Sequence, residues 1–176
     1  GDVITAMEFV GNTLYAGFTT EGGDDVALTT IDVNTGQVDL VGGFSGIGSP
    51  LGGLAWDGSD LYGVTAGGSS AALYTFDLGT GVANFLNNVT DVTGGGVGMT
   101  GLEFGTDGVL YGLANLSNSL TGHLLTIDTA TGVYTDLVRI GVPGMNAMTS
   151  ALPEPASLLV IGVFVVVFTL RSRRPI

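Results

Sequence analysis

Short runs of alternating apolar and polar residues fill most of the chain, and glycine-containing turn pairs separate them. Leu73-Tyr74-Thr75-Phe76 is one such run, and its alternation is typical of a strand with one buried face. Asp57-Gly58 lies between two runs, and Asp-Gly and Thr-Gly pairs in that position indicate tight hairpins. The pattern therefore predicts an all-β chain built from antiparallel hairpins.

The same layout occurs three times. Each copy has an apolar run, then a Leu-Tyr pair, then an Asp-x-x-Thr-Gly segment. The Leu-Tyr pair lies at residues 14–15, 61–62 and 110–111, and the Asp-x-x-Thr-Gly segment lies at residues 32–36, 77–81 and 128–132. Each copy contains four short predicted strands in about 45 residues, which is the size of one blade of a β-propeller.

The repeat resembles the PQQ/WD-like and DUF-type propeller repeats of exported bacterial proteins. This resemblance implies a propeller-like domain over residues 1–151, with blades at about 5–45, 52–92 and 100–141 and a partial fourth blade at 145–151. Because propellers have about four to eight blades, three blades and a stub do not close a ring. We therefore expect a fragment of a larger propeller, with the missing strands upstream. The alternative is an open stack or sandwich of sheets that self-associates to cover its edges.

The C-terminal segment has a different pattern. Residues 156–170 are apolar and uncharged, and these fifteen residues would span ~22 Å as a helix, against ~30 Å for a hydrocarbon core. Inclusion of Pro155 and the arginine stems makes a short span feasible. Arg171, Arg173 and Arg174 follow at once, and such residues favour the cytoplasmic side. The segment predicts a transmembrane helix at 156–170 with the preceding domain outside. A buried core helix and a simple permanent anchor are the alternatives.

Pro153, Glu154 and Pro155 directly precede this span. With the short apolar run and the arginine-rich end, residues 152–176 resemble the PEP-CTERM sorting signal of exopolysaccharide-producing Gram-negative bacteria. The resemblance implies an exosortase as transient partner and processing around the three motif residues. It also implies a path from the inner membrane to the cell surface or extracellular matrix, where extracellular polysaccharide is a candidate partner.

The part of the chain before residue 153 and the C-terminal segment differ in net charge. Of 16 acidic residues and four arginines, the part before residue 153 has 15 acids and only Arg139, a net charge of −14. Such a surface repels nucleic acid, so we expect no nucleic-acid partner. The absence of cysteine excludes a thiolate metal site and a cysteine nucleophile.

Few residues suggest chemistry. Asp32 and Asn34 precede Gly36 as in the start of a calcium loop, and Asp24 and Asp25 form an acidic cluster. These are weak candidates for a Ca²⁺ site, and no other cofactor is expected. The alternative for the first pair is a hairpin turn in which the aspartate caps the backbone. We therefore expect a non-enzymatic protein that binds glycans or proteins or has a structural role. A polysaccharide-acting enzyme, with catalytic residues on blades absent from this chain, is the alternative.

Overall fold

The computed structural model describes residues 3–19, 25–68, 70–115 and 122–141, and these contain three antiparallel sheets of four strands each. Sheet 1 consists of β1 (Val3–Val10), β2 (Thr13–Thr19), β3 (Val26–Ile31) and β4 (Val38–Phe44). Sheet 2 consists of β5 (Leu51–Trp56), β6 (Leu61–Thr65), β7 (Ala72–Phe76) and β8 (Ala83–Asn88). Sheet 3 consists of β9 (Gly98–Phe104), β10 (Leu110–Asn115), β11 (Gly122–Ile127) and β12 (Tyr134–Ile140).

Each sheet is a simple meander in which strands consecutive in sequence are hydrogen-bonded neighbours. The Leu-Tyr pair lies in the second strand of every sheet, and the Asp-x-x-Thr-Gly segment joins the third strand to the fourth. The all-β, propeller-like repeat of four strands is thus confirmed. The partial fourth blade at 145–151 and the predicted helix at 156–170 lie outside the described residues.

Two apolar cores lie between successive sheets. We call the face of each sheet that packs on the following sheet its trailing face, and the opposite face its leading face. The core between sheets 1 and 2 consists of Val26, Leu28, Ile47, Leu51, Leu54, Leu61 and Phe76. The core between sheets 2 and 3 includes Val64, Leu73, Met99, Leu102, Leu110, Leu125 and Ile127. Sheet 2 therefore buries both faces, whereas the leading face of sheet 1 has no neighbouring sheet among the described residues.

The first strands of sheets 2 and 3 approach each other closely because β5 contains two consecutive glycines. A Cβ atom on Gly52 would meet the carbonyl of Met99. A Cβ atom on Gly53 would lie 2.5 Å from the backbone nitrogen of Leu102 and 2.7 Å from its Cβ. Only residues without side chains permit this backbone contact.

We predict that Gly53→Ala lowers the free energy of unfolding by about 1–3 kcal/mol, because the added methyl group overpacks a backbone contact that cannot relax by side-chain rotation. Gly43→Ala is the matched control, since its Cβ would have no heavy atom within 4 Å. Urea unfolding followed by the fluorescence of Trp56, the single tryptophan, measures both. Equal stability of the two variants would show that β5 and β9 are not in this contact.

Candidate functional site

The three Asp-x-x-Thr-Gly segments form the same turn. In the first, Oδ1 of Asp32 accepts hydrogen bonds from the backbone N–H groups of Asn34 (2.8 Å) and Thr35 (3.0 Å). The equivalent bonds of Asp77 measure 2.9 and 2.8 Å, and those of Asp128 measure 2.8 and 3.0 Å. The closing glycines have φ of +73°, +71° and +73°, a conformation that residues with a Cβ rarely adopt.

This geometry bears on the candidate calcium residues. The Asp32 carboxylate caps the turn, and Asn34 contributes its backbone N–H to the cap. Asp25 is exposed just before β3, and Asp24 lies outside the described residues. Within the described segments, no three His, Asp or Glu side chains are grouped so that they could hold a metal ion. The turn thus has the form of the capping alternative, and calcium binding stays a prediction.

The caps also change the acidity of the aspartates. Hydrogen bonds from the backbone N–H groups of Asn34 and Thr35 lower the pKa of Asp32. The hydroxyl of Thr80, followed by backbone N–H groups, lowers the pKa of Asp77. These bonds favour the charged carboxylate, so their contribution to stability is present above the ordinary aspartate pKa and is lost as the pH falls below it.

The turns of sheets 2 and 3 also attach each sheet to the preceding one. A Cβ on Gly81 would meet the carbonyl of Val41 at the end of sheet 1, and a Cβ on Gly132 would meet the carbonyl of Asn88 at the end of sheet 2. The Asn87 side chain donates a hydrogen bond to the carbonyl of Ala130 (3.1 Å). The equivalent turn of sheet 1 has no such contact, since nothing lies within 4 Å of a Cβ built on Gly36.

Backbone hydrogen bonds complete the junction between sheets 2 and 3. The N–H of Tyr134 donates to the carbonyl of Thr90 (2.8 Å), and the N–H of Thr90 donates to the carbonyl of Gly132 (3.2 Å). The segment that leaves sheet 2 therefore pairs with the fourth strand of sheet 3. In sheets 2 and 3, the repeated turn therefore forms a hairpin and also contacts the preceding sheet.

The repeated tyrosines also contribute to packing. The Tyr62 ring, on the trailing face of sheet 2, contacts Phe104 edge-to-face with 5.2 Å between ring centroids. Tyr15 packs against the core between sheets 1 and 2. Tyr111, in the last sheet, donates its hydroxyl to Asp107 (2.9 Å). Tyr62 and Tyr15 thus join sheets, as side chains at a repeated position commonly do.

Sequence reasoning missed one electrostatic feature. Glu8 is half-buried in β1, and this burial together with the negative charge of Glu103 in β9 raises the pKa of Glu8 to about 7. The two glutamates occupy equivalent repeat positions, in Met-Glu-Phe and Leu-Glu-Phe, and sheet 2 has Ala55 there. The repeat alignment contains the signal, but the proximity of sheets 1 and 3 becomes visible only in three dimensions.

We predict that the free energy of unfolding falls by about 1–2 kcal/mol as the pH rises from 4.5 to 7.5, after allowance for solvent screening at this half-buried group. The folded-state pKa of Glu8 is raised, so its stabilisation is complete below its unfolded pKa and is lost as the pH passes its folded pKa. Glu8→Gln should flatten the profile in this window. Urea denaturation at each pH measures the effect, and an unchanged slope in the variant would contradict the assignment.

His123, the single histidine, is buried on β11 and its Nδ1 lies 2.9 Å from Oδ2 of Asp136 on β12. A carboxylate at this distance orients an imidazole ring, which is one element of a general base. The pair also has a purely structural explanation, because the hydrogen bond to Asp136 satisfies one ring nitrogen of a histidine that would otherwise be buried without a partner there.

The sorting-signal residues predicted from sequence lie outside the described residues, namely Pro153, Glu154, Pro155, Arg171, Arg173 and Arg174. Within the segments that the structure describes, no helix is long and apolar enough to span a membrane.

No protein-family model matches the chain, and no curated protein matches it in sequence. Among solved structures it is similar to an extracellular domain assigned to the hybrid two-component system BT4673 of B. thetaiotaomicron (13% identity, TM-score 0.48, 78% of this chain and 17% of that chain). It is also similar to the PQQ-bound aldose sugar dehydrogenase of Streptomyces coelicolor (16% identity, TM-score 0.46, 75% of this chain and 49% of that chain). This chain therefore spans less than half the length of either protein.

Proposed function

We propose that this chain is an exported, non-enzymatic protein of the bacterial cell surface or extracellular matrix, where it has a structural or glycan- or protein-binding role. Its C-terminal segment is a PEP-CTERM signal that inserts residues 156–170 in the inner membrane and presents Pro153, Glu154 and Pro155 to an exosortase. The repeat domain is part of a propeller. An acidic, cysteine-free surface suits a soluble domain in a polysaccharide-rich environment.

One observation supports the structural role most directly. The residues with the most suggestive spacing, the aspartates of the three Asp-x-x-Thr-Gly segments, cap hairpin turns. Two of those turns also pack on the preceding sheet. Their repetition is thus accounted for by assembly of the sheets.

The export proposal is tested by the mass of the mature C-terminus. The reading frame that contains this chain is expressed with and without an exosortase, and intact-mass analysis locates the last residue. We expect loss of the segment after the Pro-Glu-Pro motif only when the exosortase is present. An uncleaved chain in both strains would leave a plain anchor and overturn the sorting proposal.

A matched pair of variants makes this experiment specific. Glu154→Gln removes the one acidic residue of the motif, and we expect it to reduce cleavage. Asp39→Asn makes the same chemical change at an exposed residue of β4 and should leave cleavage unchanged. Equal cleavage of the two variants would show that Glu154 is not part of the recognised motif.

The second candidate function is a polysaccharide-acting enzyme, and the observation in its favour is the oriented His123–Asp136 pair. A lone imidazole needs a substrate-contacting partner to act. Incubation of the chain with extracellular polysaccharide, followed by size analysis of the polymer, tests this candidate. Depolymerisation that is lost in His123→Gln would support the enzyme and contradict the non-enzymatic role.

A further inference from the structure

A groove lies between the segment that leaves sheet 2 and the first residues of β12. It has a volume of about 360 Å³ and is lined by Asp91, Val92, Tyr134, Thr135 and Asp136. This volume is within the range of about 300–1,000 Å³ that is usual for small-molecule sites. None of the lining residues belongs to the repeated Asp-x-x-Thr-Gly turns, so the packing of those turns does not explain the polar side chains of the groove.

At three positions in and beside the groove, sheet 3 has polar side chains where sheets 1 and 2 have apolar ones. In sheet 3 these residues are Tyr134, Asp136 and His123. Strand register aligns them, in the same order, with Ala83, Phe85 and Ala72 of sheet 2 and with Val38, Leu40 and Ala27 of sheet 1. Packing of the repeat does not require a hydroxyl, a carboxylate or an imidazole at these positions. Their presence in one sheet indicates a role that sheet 3 alone has.

The hydroxyl of Tyr134 has no hydrogen-bond partner in the described fold. Tyr134 is only 9% exposed, and its ring packs in the core between sheets 2 and 3. No hydrogen bond joins its hydroxyl to a residue that the structure describes. The hydroxyl nevertheless reaches solvent, because the one described side-chain atom that is both fully buried and unpartnered is Oγ1 of Thr19. Buried polar groups normally have a partner, and the groove is where a partner of this hydroxyl can bind.

Two carboxylates lie near this hydroxyl. Burial, together with the negative charges of Asp91 and Asp136, raises the pKa of Tyr134, so the hydroxyl keeps its proton and can donate it. Oδ1 of Asp91 caps its own loop by accepting a hydrogen bond from the N–H of Thr93 (2.7 Å). Oδ2 of Asp136 lies 2.9 Å from Nδ1 of His123. Each of these bonds uses one oxygen, and the second oxygen of each carboxylate can accept a hydrogen bond from a ligand.

We propose that this groove binds one neutral hexose unit of a polysaccharide, with the Tyr134 hydroxyl and the Asp91 and Asp136 carboxylates as its hydrogen-bonding partners. Hydroxyls of the sugar ring donate to the two carboxylates, and a further sugar oxygen accepts from the tyrosine. Val92 is exposed at the rim and offers an apolar surface to the C–H groups of the sugar. The two carboxylates repel an anionic sugar. His123 acts through Asp136 and is a positioning residue.

A divalent cation is the competing occupant, because carboxylates also bind Ca²⁺. Ca²⁺ takes six to eight oxygen ligands, whereas this groove combines two carboxylates with a protonated hydroxyl and an apolar rim, a combination that suits a sugar better. The inference deepens the glycan-binding part of the proposed function and rests on it. Cleavage of the C-terminal signal is a separate event, and its test does not depend on this groove.

The single histidine is a local probe of the groove, because its ring contacts Asp136 and gives the only histidine signals in an NMR spectrum. The full-length chain is prepared in a detergent without a sugar head group. It is titrated with the methyl glycosides of glucose, galactose and mannose, with methyl glucuronide, and with CaCl₂. We expect at least one neutral glycoside to shift the His123 signals saturably, with a Kd within about tenfold of 1 mM, and methyl glucuronide to leave them unchanged.

Two matched pairs of variants locate the binding. Tyr134→Phe removes the hydroxyl and keeps the ring in the core, so we expect about tenfold weaker binding and an unchanged urea midpoint. Tyr111→Phe removes a tyrosine hydroxyl outside the groove and should bind as the natural chain does. Asp91→Asn keeps the Oδ1 that caps the loop and removes an acceptor, and it should also weaken binding about tenfold. Asp77→Asn makes the same change at a capped turn outside the groove and is its control.

The outcomes separate the groove from the proposed function. A shift of the His123 signals with CaCl₂ alone, no shift with any neutral glycoside, or equal binding by Tyr134→Phe and Tyr111→Phe would each overturn the sugar site. Retention of the chain on beads coated with extracellular polysaccharide is measured in parallel. Retention that Tyr134→Phe and Asp91→Asn leave unchanged would overturn this groove and keep glycan binding. Loss of both retention and the NMR shift in the natural chain would overturn both.

Discussion

Replacement of Gly81 with alanine should lower the free energy of unfolding by about 3–4 kcal/mol. About 1–2 kcal/mol comes from a positive φ that alanine adopts poorly. The rest comes from a clash between the new methyl group and the backbone of Val41 in the preceding sheet. Urea unfolding followed by the fluorescence of Trp56, which packs at this junction, measures the loss directly.

Gly36→Ala is the control for this prediction. Gly36 has almost the same φ, +73° against +71° for Gly81, but nothing lies within 4 Å of its Cβ position. Gly36→Ala should therefore lose only the conformational cost of about 1–2 kcal/mol. Similar losses of unfolding free energy in both variants would mean that the turn of sheet 2 does not contact Val41 of sheet 1.

The second large effect is expected for Phe76→Ala, which should cost about 3–5 kcal/mol. Phe76 is buried in the core between sheets 1 and 2, and its ring covers Gly63, where an added Cβ would lie 2.6 Å from Cε2. Removal of the ring leaves a cavity between sheets 1 and 2. The cavity can close only if the two sheets shift relative to each other, which would disturb the rest of this core. The melting temperature and urea midpoint of the variant measure this cost.

Phe85→Ala makes the same change on the same sheet at an exposed position. The Phe85 ring contacts Tyr74 edge-to-face, with 5.6 Å between ring centroids, so we expect a loss of about 0.5–1.5 kcal/mol from this pair. If Phe85→Ala were as costly as Phe76→Ala, the core would not lie where the structure places it.

Local chemistry explains which parts of the fold were predictable. Alternation of apolar residues and the position of Asp, Thr and Gly determine where strands end and hairpins form, because both act within a few residues. The four strands of each sheet and the capped turn at Asp32 follow from such patterns. The cap has the form of the hairpin alternative, since the Asp32 carboxylate accepts two backbone N–H groups at 2.8 and 3.0 Å, and calcium binding at this turn stays a prediction.

Relations between sheets were not predictable in the same way. The two consecutive glycines in β5 indicate from the sequence that another backbone lies close to this strand. Only the structure shows that this backbone is that of Met99 and Leu102. The raised pKa of Glu8 depends on the distance between strands 95 residues apart in sequence, which no local pattern encodes. Asn87 and its bond to Ala130 likewise have no counterpart in β4, where the equivalent residue is Gly42.

The central claim is that successive sheets are joined through the repeated turns into one cooperative unit. Amide hydrogen exchange at Tyr134 and Thr90 tests it most directly, because their N–H groups donate across the junction between sheets 2 and 3. In the natural chain, we predict that the amides of Tyr134 and Thr90 are as well protected from exchange as the amide of Leu125, which lies within sheet 3. In Gly132→Ala, we predict that Tyr134 and Thr90 lose this protection while Leu125 keeps it. Exchange at Tyr134 and Thr90 as fast as in an exposed loop, with Leu125 still protected in the natural chain, would contradict the account.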